Sequence, residues 1–246
     1  MNLENRVVII TGGKRIGRVV AQELAARGAD IVLSYRGSKP EADETVRDVQ
    51  ARGRRAIATA ADVSKASDCA ALVASARDAF GRIDALVNMA SVYGSTPFDE
   101  LTEAAWDRDL NINLKSAFLC AKAAIPVMRA TGGGRIINFA DWLARSGRPN
   151  YRGFVSYYVA KAGIIALTES MALELAAEQI LVNAIAPGPI LAPSDMAPEE
   201  VALVAKATPV GRWGGEIEIA KAVLTLIETD FITGETIRVD RGRHVA

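Results

Sequence analysis

The sequence is poor in the two residue types that most often bind transition metals, with one histidine and two cysteines among 246 residues. Because His244 is the single histidine, a histidine-based catalytic triad and a metal site with several histidines are both disfavoured. Cys69 and Cys120 show no metal-ligand spacing. Without an export signal, they are typical of reduced thiols in the cytoplasm. We therefore expect a cytoplasmic protein with no metal at its functional site.

Neither sign of charge is in excess, since 29 Lys and Arg residues balance 29 Asp and Glu residues. This balance provides no overall field that favours nucleic acid or an anionic membrane. The sequence also lacks the apolar region of a signal peptide and any apolar run long enough to span a membrane. With 50% hydrophobic and 24% charged residues, the composition is that of a globular protein. We expect a small-molecule substrate, and neither nucleic acid nor a membrane as a partner.

Short apolar segments alternate with longer segments of helical periodicity, without a repeat, a low-complexity tract or a linker. The predicted strands are Val7–Thr11, Ile31–Tyr35, Ala56–Ala60, Ala85–Asn88, Arg135–Phe139, Leu181–Ile185 and Thr236–Val239. The predicted helical segments are Ile16–Arg27, Pro40–Arg52, Ala66–Phe80, Asp99–Arg129 (two helices), Ser156–Glu178, Ala197–Thr208 and Glu216–Glu228. This alternation predicts a single α/β domain over residues 1–246, with a doubly wound, mostly parallel seven-stranded sheet and helices on both faces.

The turn after the first strand carries the first sign of a ligand. Thr11-Gly12-Gly13-Lys14-Arg15-Ile16-Gly17 leads from strand to helix. A turn poor in side chains lets backbone N–H groups approach a pyrophosphate, which then lies at the positive end of the helix. A plain chain reversal is the alternative. The predicted dinucleotide contacts in this turn are Thr11, Gly12, Lys14, Arg15, Ile16 and Gly17.

The end of the second strand indicates which dinucleotide binds. A site that prefers NAD places Asp or Glu about 20 residues after the glycines. The sequence here is Ser34-Tyr35-Arg36-Gly37-Ser38-Lys39, which contains no acid. Arg36 and Ser38 suit a 2′-phosphate, and Lys14 lies near enough in the turn to contribute. Unless these are ordinary solvated loop residues, the expected cofactor is NADPH or NADP+.

Several further motifs follow in a fixed order along the chain. They are Asp62-Val63, Asn88-Met89-Ala90-Ser91, Asn111-Ile112-Asn113, Tyr157-Tyr158-Val159-Ala160-Lys161, Pro187-Gly188-Pro189-Ile190 and Phe231-Ile232-Thr233-Gly234. Together they resemble the short-chain dehydrogenase/reductase family over essentially the whole chain. The resemblance implies a Rossmann fold and an oxidoreductase. It also implies a homotetramer or homodimer, formed by the Ser156–Glu178 helix and the helix before it.

The resemblance also implies roles for individual residues. Asp62 and Val63 would contact the adenine, and Asn88, Ala90 and Ser91 would shape the cofactor cleft. Asn113 would hold a water molecule in a proton relay. Pro187, Gly188 and Ile190 would flank the nicotinamide.

Departures from the common family pattern point to a subgroup. Arg15 stands where the middle glycine of the turn is usual, and Asp141 stands where the catalytic serine belongs. Tyr93 is predicted on the loop after the fourth strand, two residues beyond Ser91. These features resemble the pteridine reductases. Arg15 and Asp141, together with Gly242-Arg243-His244, also resemble the bacterial dihydromonapterin-reductase-like proteins.

Tyr157 and Lys161 are four residues apart and therefore share one face of a helix. A cation beside a phenol favours phenolate and lowers a pKa that is ordinarily about 10. Such a phenol passes protons efficiently near neutral pH. Most Tyr-x-x-x-Lys pairs are ordinary surface pairs, but this pair opens an apolar helix that follows Asp141. We predict Asn113, Asp141, Tyr157 and Lys161 as the catalytic residues, with Tyr157 and Lys161 also contacting the cofactor.

Asp141 and two aromatic residues bear on the choice of substrate. A carboxyl in a largely apolar cleft has a raised pKa and acts as a proton donor, which is the role predicted for Asp141. The alternative is that Asp141 only caps a turn. Tyr93 and Trp142 are predicted on loops over the cleft, where they would sandwich a flat ring unless they are simply packed. The predicted substrate contacts are Arg15, Ser91, Tyr93, Asp141, Trp142 and Tyr157.

Three functions remain open on the sequence alone. The first is NADPH-dependent reduction of a pterin-like or related planar substrate, which Asp141 and Tyr93 favour. The second is reduction of a ketone such as a 3-oxoacyl thioester. The third is a catalytically silent NADP-binding sensor or scaffold, which Asn113, Tyr157 and Lys161 disfavour. The long Arg145–Phe154 loop, like Pro187–Pro198, follows a strand end and indicates a remodelled substrate pocket.

Overall fold

Seven strands form the centre of the molecule. They are β1 (Val7–Thr11), β2 (Asp30–Tyr35), β3 (Ala56–Ala60), β4 (Ala85–Asn88), β5 (Gly134–Phe139), β6 (Ile180–Pro187) and β7 (Thr236–Val239). The computed structural model describes residues 1–146, 151–193 and 196–245. In it the strands form one sheet in the order β3-β2-β1-β4-β5-β6-β7, with every pairing parallel. The predicted Rossmann fold is confirmed.

Nine α-helices connect or flank these strands in the described part of the chain. They are α1 (Ile16–Ala26), α2 (Lys39–Gln50), α3 (Ala66–Phe80), α4 (Glu103–Leu110), α5 (Ser116–Ala130), α6 (Trp142–Ser146), α7 (Val155–Leu175), α8 (Pro198–Lys206) and α9 (Glu216–Glu228). A π-helical turn, Asn111–Lys115, joins α4 to α5. Helix α6 was not predicted, because five residues are too few to show a helical period.

Alternate residues of each strand face opposite helical layers, as the pleat of a sheet requires. In β1, Val8 and Ile10 pack in the core shared with α1 and α9. Val7 and Ile9 pack in the core shared with α3 and α5. All four side chains are buried, which explains why β1 is a continuous apolar run.

The direction of the strand order reverses at β1, which lies between β2 and β4. Open α/β sheets bind ligands outside the carboxyl ends of the strands at such a switch point. Thr11 and Asn88, the last residues of β1 and β4, are paired in register at this edge. The edge therefore positions the glycine turn beside the loop that follows β4.

The described residues contain no helix that is both long and apolar enough to cross a membrane. Cys69 of α3 and Cys120 of α5 are free and buried, with their sulfur atoms 3.5 Å apart. Within the described ranges, His, Cys, Asp and Glu side chains form no group of three that is suited to a metal ion.

Candidate active site

The turn between β1 and α1 packs backbone against backbone. Gly12 has a φ of +78°, and a Cβ there would lie 3.1 Å from backbone atoms of Ala90. A Cβ on Gly17 would lie 2.7 Å from the carbonyl oxygen of Gly12. Arg15 precedes α1 with a φ of +50°, which is uncommon for a residue with a side chain. This packing puts the N-terminus of α1, from Ile16 onward, at the ligand-binding edge of the sheet.

Thr11 and Asn88 fix the floor of the crevice between β1 and β4. Thr11 Oγ1 accepts hydrogen bonds from the backbone N–H groups of Met89 and Ala90, at 3.1 and 3.2 Å. The Asn88 side chain donates to Asn138 Oδ1 at 2.9 Å. Asn88 Oδ1 is buried and has no hydrogen-bond partner among the described residues. These bonds hold the loop after β4 against the glycine turn.

Arg36 lies exposed just beyond the end of β2. Across from it, Asp62 accepts hydrogen bonds from the N–H and the hydroxyl of Ser64, at 3.2 and 2.6 Å. The bonds from Ser64 lower the pKa of Asp62, and the positive charge of Arg36 lowers it further. Val63 is buried beneath this corner. The structure thus brings Arg36, Asp62 and Val63 to the part of the edge where the sequence predicts the adenosine.

Lys14 and Ser38, the other residues predicted at the 2′-phosphate, contact the start of α2. Lys14 forms an ion pair with Glu41 at 2.6 Å, and both side chains are about half exposed. The Ser38 carbonyl accepts a hydrogen bond from the Ala42 N–H at 3.1 Å. An exposed ion pair contributes little stability, so an anionic ligand can displace Glu41 from Lys14 at small cost.

The loop after β6 borders the crevice from the other side. Pro187 is the last residue of β6, and the Gly188 N–H donates to the Val239 carbonyl at 3.0 Å. A Cβ on Gly188 would lie 2.6 Å from the Cβ of Asp240. Ile190 is buried. The start of this loop is therefore held tightly against the end of β7.

Arg15 connects the two sides of the crevice. Its guanidinium group donates a hydrogen bond to the Ala192 carbonyl at 3.0 Å. The bond joins the turn before α1 to the loop after β6. Residues 194–195 of the predicted Pro187–Pro198 segment lie outside the described residues.

Asn113 is buried in the π-helical turn between α4 and α5. Its Oδ1 accepts hydrogen bonds from the Ser91 hydroxyl at 2.6 Å and from the Val92 N–H at 3.0 Å. Its amide group donates to the Val92 carbonyl at 3.0 Å. Such π-helical turns are frequent at functional sites. The side chain of Asn113 fixes the loop after β4, and its role in a proton relay stays a prediction.

Asp141, Tyr157 and Lys161 come together at the carboxyl end of β5. The Tyr157 hydroxyl donates to Asp141 Oδ2 at 3.0 Å. Lys161 Nζ donates to the Phe139 carbonyl at 2.8 Å and lies 5.7 Å from the centroid of the Tyr157 ring. Tyr157 and Lys161 are buried, and both extend from the first turns of α7.

Burial decides the protonation of this group. It raises the pKa of Tyr157 well above 10, and the adjacent Asp141 raises it further by its charge and by accepting the hydrogen bond. Burial lowers the pKa of Lys161 to about 8 and raises the pKa of Asp141. The prediction that Lys161 lowers the pKa of Tyr157 is wrong, because Lys161 turns to the Phe139 carbonyl while a carboxylate faces the phenol. Tyr157 therefore keeps its proton at neutral pH, as a proton donor must.

Asp141 accepts three hydrogen bonds, one at each carboxylate oxygen and one at its backbone carbonyl. Oδ1 accepts the Leu143 N–H at 2.8 Å, and the Asp141 carbonyl accepts the Arg145 N–H at 3.0 Å. These bonds cap and close the short helix α6. The alternative that Asp141 caps a turn is thus confirmed. Its Oδ2 still faces Tyr157, so the cap orients the carboxylate toward the phenol.

Aromatic rings surround the Tyr157 phenol. Tyr93 stacks on Phe154 with ring centroids 4.8 Å apart, and its edge contacts Tyr157 at 5.0 Å. Phe154 also meets the Tyr157 ring edge-on at 6.3 Å. Sequence reasoning missed Phe154, although it immediately precedes α7. Next to these rings lies a cavity of about 230 Å³, whose walls are mainly apolar and which Asp141, Tyr157 and Lys161 reach.

The predicted sandwich between Tyr93 and Trp142 is wrong. Trp142 begins α6 and is buried, with the Arg243 guanidinium 5.8 Å from its ring centroid. The partner of Tyr93 is Phe154 instead. Of the predicted Arg145–Phe154 loop, residues 147–150 lie outside the described residues.

His244 is paired within its own chain. Its Nδ1 lies 2.7 Å from Asp240 Oδ2, and its backbone N–H donates to the same oxygen at 3.1 Å. Asp240 of the same chain thus fixes the position of His244.

The crevice fits a dinucleotide. The contacts of Gly12 and Gly17 leave no room for side chains where the turn meets Ala90. Such a surface admits a pyrophosphate to the N-terminus of α1. At one end Arg36 supplies a guanidinium for a phosphate, and at the other the Tyr157 hydroxyl supplies a proton.

Comparison with known proteins agrees with this architecture. Residues 12–244 match a family model described as Enoyl-(Acyl carrier protein) reductase. Over 244 residues the chain is 35% identical to the 3-oxoacyl-[acyl-carrier-protein] reductase FabG of Staphylococcus aureus (strain Mu50), covering 96% of this chain and 97% of that protein. Over 250 residues it is 36% identical to the (2S)-[(R)-hydroxy(phenyl)methyl]succinyl-CoA dehydrogenase subunit BbsD of Thauera aromatica, covering 99% and 98%.

A solved structure is similar over nearly the full length of both chains. It is that of a blue fluorescent protein from a metagenomic library, in complex with NADPH, which matches with a TM-score of 0.91 at 32% identity. The match covers 99% of each chain.

Proposed function

Since the chain belongs to the short-chain dehydrogenase/reductase family of oxidoreductases, we propose that it is an NADPH-dependent reductase of an oxo group, carried by a 3-oxoacyl thioester or a related small ketone. The observation that carries this proposal is the group of partly buried Asp141 and buried Tyr157 and Lys161. It lies beside both the dinucleotide crevice and a mainly apolar cavity. The predicted likeness to pteridine reductases is not confirmed, and the reductase FabG supports the second of the three functions predicted above.

The cofactor preference rests on the end of β2. Arg36 offers bidentate hydrogen bonds to a 2′-phosphate, whereas an NAD site would have a carboxylate there. Ser38 and Lys14 lie on the same side of the crevice, at the start of α2 and in the glycine turn. The solved structure that holds NADPH gives further support.

Residues on both sides of the crevice would hold the nucleotide. The turn from Thr11 to Gly17 would take the pyrophosphate, and Asp62 and Val63 would take the adenine. Pro187, Gly188 and Ile190 would flank the nicotinamide, and Asn88, Ala90 and Ser91 would line the floor. When bound, the reduced nicotinamide supplies a hydride to the substrate.

The chain's own residues supply the proton. Tyr157 keeps its proton at neutral pH and presents it at a hydroxyl whose direction Asp141 fixes. As negative charge develops on the substrate oxygen, the Lys161 ammonium would stabilise it, in a site where both Tyr157 and Lys161 are buried. Tyr157 then gives up its proton to that oxygen, and the product is a secondary alcohol.

The cavity favours a ketone over a pterin. A pterin ring has several nitrogen atoms and an oxo group that each need hydrogen-bond partners, and burying them without partners is costly. Of the residues that line the cavity, Leu143, Phe154 and Val155 offer none. Its polar groups come from Asp141, Lys161 and three tyrosines, while its exposed wall is mainly apolar. An acyl or alkyl ketone needs polar contacts only at its oxygen atom, where Tyr157 lies.

Self-association through α5 and α7 also belongs to the proposal. Both helices expose apolar side chains, among them Phe118 on α5 and Leu173 on α7, the latter 83% exposed. Large apolar side chains of this kind gain stability when a partner copy covers them. Light scattering during gel filtration should give the mass of a homotetramer or homodimer, and the Leu173→Glu variant should dissociate.

The test is NADPH oxidation with two substrates, acetoacetyl thioester and dihydrobiopterin, followed at the nicotinamide absorbance band. We expect the thioester to be reduced at least tenfold faster. Reduction of dihydrobiopterin alone would replace the proposal with the pterin function. NADPH binding without turnover of any ketone or pterin would instead identify a silent NADP-binding sensor.

A further inference from the structure

The aromatic rings near Tyr157 come from two segments that the fold ties together. Tyr93 follows β4, whereas Tyr151 and Phe154 precede α7. The Thr96 N–H donates to the Gly153 carbonyl at 2.8 Å, which joins the two segments by backbone. Gly153 has a φ of +82°, and a Cβ there would lie 2.3 Å from the Ser95 hydroxyl. The aromatic arrangement is therefore set by backbone contacts as well as by ring packing.

Phe154 holds a central position in this arrangement. It stacks on Tyr93 at 4.8 Å, with 26° between the rings, and contacts Tyr151 and Tyr157 edge-on at 6.3 Å. Its carbonyl accepts the Tyr158 N–H at 2.8 Å, which starts the hydrogen bonding of α7. One face of Phe154 is thus taken by Tyr93, and the ring also forms part of the cavity wall.

The cavity beside these rings is large enough for an aromatic ring, and its lining is mainly apolar. Its volume of about 230 Å³ exceeds the roughly 150 Å³ of an apolar cavity that binds benzene. Leu143, Val155 and Val159 line the cavity together with Tyr151 and Phe154. Aromatic rings favour other aromatic rings in stacked or edge-on geometry. A charged or strongly polar group placed against this apolar wall, away from Asp141 and Lys161, would lose its hydration without a hydrogen-bond partner there.

We infer that Tyr151 and Phe154 determine specificity, by selecting substrates whose reacting carbonyl carries an aryl group. The aryl group would occupy the cavity against Phe154, with the carbonyl oxygen at the Tyr157 hydroxyl. The inference rests on the proposed reductase function and narrows its substrate class to aryl ketones and aryl 3-oxoacyl thioesters. It assigns the two residues to substrate choice and not to proton transfer.

The experiment compares two thioesters that differ only at the carbonyl substituent, 3-oxo-3-phenylpropanoyl and acetoacetyl, both as N-acetylcysteamine thioesters. We expect the phenyl substrate to have a kcat/KM at least tenfold higher, mainly through a lower KM. In the Phe154→Ala variant, kcat/KM for the phenyl substrate should fall at least fivefold more than kcat/KM for the acetoacetyl substrate, so that most of the preference is lost. Tyr151→Ala should act in the same direction.

The control is Phe231→Ala, because Phe231 is fully exposed beyond α9 and the same substitution there should leave the preference unchanged. Fluorescence titration with NADPH and thermal melting establish that each variant is folded. Equal kcat/KM for the two thioesters, or an equal loss of both in folded Phe154→Ala, would overturn this inference alone. A failure of both thioesters to oxidise NADPH in the wild type would overturn the proposed function, and this inference with it.

Discussion

The Tyr157 hydroxyl donates a hydrogen bond of 3.0 Å to Asp141 Oδ2, while the other oxygen of the same carboxylate caps α6 through the Leu143 N–H. One side chain thus sets both the local backbone and the direction of the proposed proton donor. Because Tyr157 is buried and Asp141 is partly buried beside it, the charge of Asp141 acts strongly on Tyr157 and raises its pKa. Removing the charge of Asp141 should therefore change how kcat/KM depends on pH.

Removal of the phenol should abolish turnover without removing the cofactor. In Tyr157→Phe we expect kcat for ketone reduction to fall by about 10²- to 10⁴-fold, the usual contribution of a positioned general acid. NADPH affinity by fluorescence titration should stay within about threefold. The matched control is Tyr158→Phe, which removes the neighbouring phenol and should retain most of the activity. Full activity in Tyr157→Phe would exclude Tyr157 as the proton donor.

Removal of the carboxylate should move the pH profile. Asp141 raises the pKa of both Tyr157 and Lys161, so both values should fall in Asp141→Ser. The pH at which kcat/KM declines on the alkaline side should therefore be lower than in the wild type. We also expect the preference for simple ketones over dihydrobiopterin to increase.

Asp141→Asn is the informative companion, because it removes the charge but keeps an oxygen that can cap α6. The same alkaline shift should appear in this variant. If the pH dependence of kcat/KM is unchanged in both variants, Asp141 only caps α6 and does not influence Tyr157 or Lys161.

The alkaline decline of the wild type should occur near pH 8. Burial lowers the pKa of Lys161 to about 8, so its ammonium is present below that pH and is lost above it. Because Tyr157 keeps its proton over the same range, loss of the ammonium is the first change expected. The kcat/KM for reduction, measured from pH 6 to 10 in buffers of constant ionic strength, should be flat and then fall. In Lys161→Arg, any residual activity should persist to higher pH because guanidinium stays charged. Constant activity to pH 9.5 in the wild type would contradict this prediction.

The Arg36→Ala substitution should weaken the binding of NADPH far more than the binding of NADH. We expect the KM for NADPH to rise by about 10- to 100-fold, since a charge-assisted hydrogen bond contributes about 1.5–3 kcal/mol. The KM for NADH should change by less than about threefold. Arg52→Ala removes an exposed arginine that bonds the Asp48 carbonyl at the far end of α2, and should affect neither cofactor. Equal losses for NADPH and NADH in Arg36→Ala would argue against recognition of the 2′-phosphate.

Gly17→Ala should damage the glycine turn. The added Cβ would lie 2.7 Å from the Gly12 carbonyl oxygen, which is backbone and cannot move away alone. We expect a loss of about 1–3 kcal/mol in the free energy of unfolding, as for other overpacked sites, together with weaker NADPH binding. Gly94→Ala is the control, because a Cβ there meets nothing within 4 Å. Thermal melting measures the loss of stability, and fluorescence titration measures the affinity for NADPH. If both values in Gly17→Ala equal those of the wild type, the close approach of position 17 to the Gly12 carbonyl is contradicted.

The sequence by itself determined the layers and order of the fold. All seven strands were predicted to within two residues at each end, because strands buried on both faces are short apolar runs separated by polar helices. The glycine turn and the four-residue spacing of Tyr157 and Lys161 were equally visible, since both are local patterns. Helix α6 was missed because its five residues show no period, and only the cap by Asp141 marks it.

The tertiary structure alone decided what surrounds the phenol. Asp141 and Tyr157 are 16 residues apart in the chain, and Tyr93 meets Phe154 from another loop. Such contacts depend on how loops from neighbouring strands meet at one edge of the sheet, which no local pattern specifies. The pKa of Tyr157 was predicted in the wrong direction for the same reason. Spacing places Lys161 near the ring, but burial and the facing carboxylate, which exist only in the folded chain, outweigh that cation.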